Sequence, residues 1–380
     1  MYKKIIIAAA NYWTSPYHVG SHHFAKMFAK NGWKVLFISD PISPFHFIAS
    51  KNKGVLERYR IYRGFTESGN SNIDIYVPMA IFTPNEKPVF RTAVVANNWH
   101  KFTIPNVIKY IKRIGFGKVD LLWFDSITQY FLINEIQSKR SILRIADRMD
   151  AFKKSTQSIK KLEKKLMSKA DIIIYTAKTL RKYLKGYEDK ITYISNGVDI
   201  EHFLKSNRNI PEDLKCIPKP IAIYVGAVHE WFGIDFLIEV AKRCRNISFV
   251  IIGNVSTNKT KLENTSNIFL LGRRDYKEIP GYMFNSDVGI ITFDISHPVV
   301  KTVNPIKMYE YMACSLPVVA TKWKELELIG SPIHLADSPE EFTKILYNVL
   351  NVDKKEKYLK FARANSWEER FKRIIKLIGN

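Results

Sequence analysis

What most constrains this chain is a series of short, unbroken apolar runs. They include KKIIIAA at 3–9, KVLFIS at 34–39, VDLLWF at 119–124, DIIIY at 171–175, PIAIYVGAV at 220–228, ISFVIIGN at 247–254, DVGIITF at 287–293 and PVVAT at 317–321. Runs of this length, rich in branched residues and without polar alternation, predict strands buried on both faces in a parallel sheet. Weaker strand signals lie at 73–77, 141–145, 191–194 and 267–272, and helical patterns at 21–30, 233–245 and 339–350 fall between strands. The order is therefore alternating α/β. It runs to a turn signal, SNGVD at 195–199, and restarts at 220, after a stretch punctuated by Pro211, Pro218 and Pro220. Two doubly wound α/β domains are predicted, at 1–203 and 221–353, joined by a linker at 204–220 and followed by a helical segment at 354–380.

Composition narrows the class. A chain that is 46% hydrophobic and 13% aromatic can bury substantial cores and is not disordered. Its three cysteines, Cys216, Cys244 and Cys314, are far apart and match no metal-ligand spacing, which points to a reducing, cytoplasmic setting. The N-terminal apolar run is too short for a signal peptide, and no run is long enough to span a bilayer. Charge is uneven. Residues 1–200 carry 33 Lys/Arg against 15 Asp/Glu, whereas residues 201–350 carry 17 of each. A basic half joined to a neutral half predicts a large anionic partner for the former, a membrane surface or a nucleic acid.

The stretch VNPIKMYEYMACSLPVVAT (303–321) reads as a helix capped by Asn304, with Pro305 at its first position, leading into a buried strand. Lys307 then falls in the first turn, where the helix dipole disfavours a cation. An anion at that helix end would remove the conflict, and the free backbone N–H groups there already favour phosphate. Lys307 would neutralise a diphosphate, and Glu310, three residues on, could accept hydrogen bonds from ribose hydroxyls.

At these residues the sequence resembles glycosyltransferases of the two-Rossmann-domain (GT-B) fold. YVGAVHEWFG (224–233) and GRRDYKEIPGYMFNSDVGIITF (272–293) resemble the other two donor-domain segments of that superfamily, in the same order. Within it the chain resembles in particular the membrane-associated xanthan glucuronosyltransferase-like family. The resemblance implies two Rossmann-like domains facing across a cleft, with the C-terminal helix crossing back to the first. It implies a nucleotide-sugar donor, UDP-linked, and no metal or other cofactor. Lys307 would hold the diphosphate and Glu310 the ribose; Ile306, Val228, Arg273, Gly226 and Asn304 would line the nucleotide site; Arg274, Glu230 and Lys301 would be sugar contacts, glucuronate among the candidate sugars. Retaining relatives carry a second glutamate eight residues before the ribose-binding one; here that position is Thr302, which favours inversion. Ser315 stands where relatives have glycine at the helix end.

Inversion demands a general base for the acceptor hydroxyl. In LRIADRMDAF (143–152) a strand runs into Asp147, and Arg144 and Asp147 match the R-x-x-D setting of the family's catalytic aspartate. Asp150 is one rival. His22, in NYWTSPYHVGSHHF (11–24) with His18 and His23, is another.

Two basic stretches, 99–118 and 153–169, combine lysines with apolar residues at helical spacing and are candidates for shallow attachment to an anionic membrane. The acceptor would then be a lipid-linked saccharide at the cytoplasmic face of the inner membrane. The alternatives are a retaining transferase, a sugar-nucleotide epimerase on the same fold, and a non-enzymatic nucleic-acid binder. The last would leave the donor-site residues idle, and no aromatic-plus-basic RNA-binding module accompanies the charge.

Overall fold

The computed structural model describes residues 2–49, 53–152, 155–351 and 356–379. The chain divides into two compact units. One comprises Met1–Thr176, Leu180–Ile194 and Ile374–Asn380; the other Ala177–Thr179 and Ser195–Arg373. Residues 204–220, expected as a linker, thus lie within the second unit, and Leu214 and Ile217 are buried in its core. The expected boundary at 353/354 lies outside the described residues.

Among the described residues of the first unit, seven strands form one parallel sheet: β1 (Lys4–Ala9), β2 (Lys34–Ser39), β3 (Ile73–Tyr76), β4 (Lys118–Phe124), β5 (Gln137–Ile145), β6 (Ile172–Tyr175) and β7 (Ile191–Tyr193). The spatial order is β3-β2-β1-β4-β5-β6-β7, so the winding reverses between β1 and β4. Side chains such as Ile6, Leu36 and Trp123 are fully buried, each aliphatic one contributing about 1.5–3 kcal/mol by leaving water. Its helices include α1 (Gly20–Lys30), α2 (Pro44–Ala49), α3 (Val107–Arg113) and α4 (Gln157–Lys169).

The helices within the two basic stretches bury their central apolar residues. On α3, Val107 and Ile111 are buried; on α4, Leu162, Leu166 and Met167 are. Those residues pack on the unit's own core, whereas Phe102 and Ile104, ahead of α3, are exposed. Lys153 and Lys154 lie outside the described residues.

In the second unit, α5 (Ile200–Lys205), α6 (Ile234–Arg243), α7 (Ile306–Ala313), α8 (Pro339–Leu350) and α9 (Glu356–Ala364) accompany strands β8 (Ile221–Val225), β9 (Ser248–Ile252), β10 (Ile268–Gly272), β11 (Val288–Ile291), β12 (Val318–Thr321) and β13 (His334–Ala336). The described strands form a parallel sheet of order β10-β9-β8-β11-β12-β13, with its reversal between β8 and β11. Ligands of such sheets bind outside the carboxyl ends at the reversal. The last helix, α10 (Trp367–Gly379), ends in the first unit, where Arg140 donates to the Leu377 carbonyl at 3.3 Å.

Candidate active site

In the second unit, β8 is followed by Gly226, whose φ of +148° favours glycine. Gly253 follows β9, and a Cβ on it would lie 2.0 Å from the Gly226 carbonyl oxygen. Two strand ends therefore approach as bare backbone. Beneath Gly226 lies Lys307: a Cβ on the glycine would stand 3.2 Å from its Cε. The ammonium is 5.1 Å from the Tyr224 ring centre and 4.8 Å from that of Phe293. These ring faces hold the cation in place without neutralising it. Burial lowers the Lys307 pKa to about 8, Glu310 opposing the shift. Burial likewise raises that of Glu310 to about 7, Lys307 opposing and Asp199 adding to it.

Helix α7 carries both side chains, but it does not start as the sequence suggested. Pro305, in extended conformation, takes the N-cap position, and no side chain caps the helix. Asn304 stands one residue earlier, buried, with its carbonyl accepting from Asn196 Nδ2 at 2.7 Å. The first-turn N–H groups are thus left uncapped by any side chain beside a half-buried lysine. At the other end, Ser315 adopts φ +60°, the conformation for which relatives use glycine.

The remaining expected donor residues scatter. Ile306 opens α7, half-buried. Val228 is fully buried in the core, and its carbonyl accepts from Ser256 N–H and Oγ. Arg273 is exposed after β10, whereas Arg274 is committed to Asp213 and to Tyr282 OH. Lys301 and Glu230 are exposed. Tyr276, which sequence reasoning missed, is a close neighbour of Glu310: its hydroxyl pKa is driven well above the ordinary value, by burial first and then by Glu310. Its ring stacks on His202 at 4.0 Å.

In the first unit, acidic residues follow three strands near the reversal. Asp40 after β2 is half-buried and accepts from Ser126 Oγ at 2.5 Å and from Thr128 Oγ1. Asp125 after β4 pairs with Arg144 of β5 at 3.2 Å, both side chains being buried. The guanidinium lies against Gly20, where a Cβ would meet Cζ at 2.7 Å; the first residue of α1 has no room for a side chain. Asp147 follows β5 on a loop whose Ala146 carbonyl accepts from Thr176 Oγ1 at 3.1 Å. Burial raises the Asp147 pKa to about 6, with Arg144 opposing.

Its rivals are engaged elsewhere. Asp150 is exposed and doubly bonded by Arg148, at 3.0 and 2.7 Å, which lowers its pKa. His22 is fully buried: Nε2 lies 3.0 Å from the Tyr12 carbonyl and Nδ1 accepts from Val19 N–H at 3.4 Å. With both ring nitrogens on backbone and the pKa lowered to about 4 by burial, it is a structural residue at the start of α1. No group of three or more His, Cys, Asp or Glu side chains fit for a metal occurs among the described residues.

Residues 7–176 match the family model of the glucuronosyltransferase GumK N-terminal domain, and residues 219–351 that of glycosyl transferases group 1. The putative teichuronic acid biosynthesis glycosyltransferase TuaH of Bacillus subtilis is 27% identical over 239 residues, a match spanning 58% of this chain and 60% of the relative. Among solved structures, a sucrose-phosphate synthase from Thermosynechococcus elongatus superposes with a TM-score of 0.69 at 13% identity, over 99% of this chain and 98% of that one. Anabaena Alr3699/HepE in complex with UDP and glucose gives 0.65 at 14% identity, over all of both chains. These likenesses carry the fold. Together with the two family matches, they show a GT-B fold whose first part is similar to the GumK-like family and whose second part is similar to the group 1 glycosyl transferases.

Proposed function

We propose that this protein is an inverting glycosyltransferase, moving a sugar from a UDP-linked donor to a lipid-linked saccharide during surface polysaccharide synthesis. The observation that carries the reading is Lys307: a half-buried cation in a helix's first turn, flanked by two aromatic faces and bare glycine backbone. A diphosphate there would satisfy the N–H groups, the dipole and the lysine together. Glu310, one turn on, would take the ribose hydroxyls, and Tyr276 would orient it. HepE, which shares the fold, was solved with UDP, which supports a uridine donor. TuaH, by its name a teichuronic acid enzyme, supports a polysaccharide product.

In the proposed reaction the acceptor hydroxyl oxygen attacks the anomeric carbon while Asp147 takes its proton. The bond from that carbon to the diphosphate oxygen breaks, and the diphosphate leaves with the electron pair, stabilised by Lys307 and the end of α7. A single displacement inverts configuration. Thr302, buried and directed to the Val299 carbonyl, supports this route, because it offers no second carboxylate. Since Lys307 meets the leaving-group charge, the reaction is proposed to need no metal, and EDTA should leave the rate unchanged. The protein would work peripherally at the cytoplasmic face of the inner membrane. No helix among the described residues is long and apolar enough to cross one.

Calorimetric titration of UDP into wild type and Lys307→Ala tests the donor site. Saturable binding is expected, weakened at least about tenfold by the substitution, the loss of one buried charge-assisted contact. If wild type binds neither UDP nor other nucleotides, the transferase reading fails.

A further inference from the structure

In the first unit, helix α4 buries a carboxyl that the proposed reaction does not use. Glu163 is 2% exposed and shares the buried face of the helix with Leu162, Leu166 and Met167, while Lys161, Lys164 and Lys165 stand in water. A carboxyl on the buried face of an amphipathic helix is costly unless it is hydrogen-bonded, and a residue that breaks the pattern of its element marks a local task. Its partner is Tyr183, whose hydroxyl donates to Glu163 Oε2. Tyr183 is half-buried in the short helical segment Lys178–Leu184 after β6, and the Arg148 guanidinium lies 5.5 Å from its ring centre. Arg148 directly follows Asp147. Building on the reading of Asp147 as the base, we propose that Glu163 and Tyr183 are positioning residues: together they form a fixed seat for Arg148 and so hold the loop that presents Asp147.

The loop after β5 is anchored on each side of Asp147. Ahead of it, Thr176 N–H donates to the Ile145 carbonyl and Thr176 Oγ1 to that of Ala146, both at 3.1 Å. Behind it, Arg148 and Asp150 close into a planar fork through bonds of 3.0 and 2.7 Å, and the guanidinium of that fork rests on the Tyr183 ring. A tyrosine ring swings about two torsions; tying its hydroxyl to a carboxylate on a packed helix stops that motion. Burial pushes the Glu163 pKa up to about 7, with Tyr183 and Lys164 opposing and Asp150 adding to it. Burial and Glu163 also raise that of Tyr183, with Asp150 adding and Arg148 opposing, so the hydroxyl keeps its proton and is the donor. The consequence reaches Asp147. Its own pKa of about 6 comes from burial, against the pull of Arg144, which also pairs with Asp125. A loop released from Tyr183 would admit water to Asp147 and return that pKa toward the ordinary range, where the carboxylate is a weaker base.

The test is the titration of Asp147 itself, followed by carbon-13 NMR of the side-chain carboxyl in aspartate-labelled protein, with Asp147→Asn assigning the signal. Wild type should titrate near 6. Tyr183→Phe, which removes one oxygen and keeps the ring, should lower the midpoint by at least about one pH unit, and Glu163→Ala should do the same. Glu163→Gln still accepts from Tyr183 and should stay close to wild type. A contribution to stability alone would leave the midpoint in place in every variant that folds. An unmoved midpoint in Tyr183→Phe and Glu163→Ala therefore overturns the inference and leaves Asp147 standing as the base. If Glu163→Ala does not fold, Tyr183→Phe decides alone. A wild-type Asp147 that titrates in the ordinary aspartate range removes the buried-base reading and this inference together.

Discussion

Two half-buried charges carry most of the chemistry proposed for single residues, and both should announce themselves in pH dependence. Asp147 must be ionised to take a proton. With its pKa near 6, kcat/KM should rise with pH through about 6 and then level. Asp147→Asn should cut kcat by about 10²–10⁴ with little change in UDP affinity; if the variant keeps most of its rate, the base lies elsewhere. Stability should move the opposite way. A carboxyl whose folded pKa exceeds its ordinary value holds its proton more tightly when folded, so it favours the fold at low pH and loses that contribution as pH rises through 6. Asp147→Asn should therefore be more stable than wild type at neutral pH, by roughly 1–2 kcal/mol after allowance for partial exposure, as read by urea denaturation. Lys307 gives the mirror case in binding: only its protonated form attracts diphosphate, so UDP affinity should fall as pH rises through about 8 and stay flat in Lys307→Ala.

At the scale of elements, the donor site depends on two strand ends that approach without side chains. Gly226→Ala would impose a strained φ and push a methyl to 3.2 Å from Lys307 Cε. The expected cost is about 1–3 kcal/mol in chemical denaturation, with weaker UDP binding in calorimetry. Wild-type affinity in a stable variant would mean that Lys307 is not held as described. This contact also shows what the sequence could and could not tell. The strands were legible because β1, β8, β9 and β11 are continuous apolar runs whose burial is written in composition. Lys307 was legible because a cation in a first turn contradicts a local rule. Asn304 misled because Pro305 satisfies the N-cap conformation by itself, which a residue-type preference does not reveal. The short strand β13 escaped because its residues, His334–Ala336, carry no apolar run. Tyr276 against Glu310, the two rings around Lys307 and the Asp125–Arg144 pair join residues far apart in sequence, and no local spacing encodes them. His22 was chemically apt but is consumed by backbone hydrogen bonds, visible only once Tyr12 and Val19 are placed.

At the scale of the whole molecule, the net charge of +23 needs a surface to act on, and α3 and α4 do not supply the apolar part of it. Large exposed apolar side chains gather instead between residues 45 and 104 of the first unit: Ile48 is 83% exposed, Val94 73%, Val89 70% and Ile104 62%. Phe45 meets Phe90 at 5.5 Å, and Ile81 N–H donates to the Phe102 carbonyl, so these loops support one another after β2 and β3. Arg91 and Lys101 lie among them. Apolar side chains set among cations suit the interface of an anionic bilayer, where each Lys or Arg adds about 1 kcal/mol at low salt. Cosedimentation should therefore show binding to vesicles containing phosphatidylglycerol, weak binding to pure phosphatidylcholine, and loss of the difference at high salt. Ile48→Ser/Ile104→Ser should weaken binding to both kinds of vesicle while sparing UDP affinity. Reversing Lys164 and Lys165 on α4 to glutamate should lower only the anionic preference. Equal binding to both vesicles by wild type would show that the charge does not serve a membrane, and salt-dependent retention on RNA in the same series would name the alternative partner.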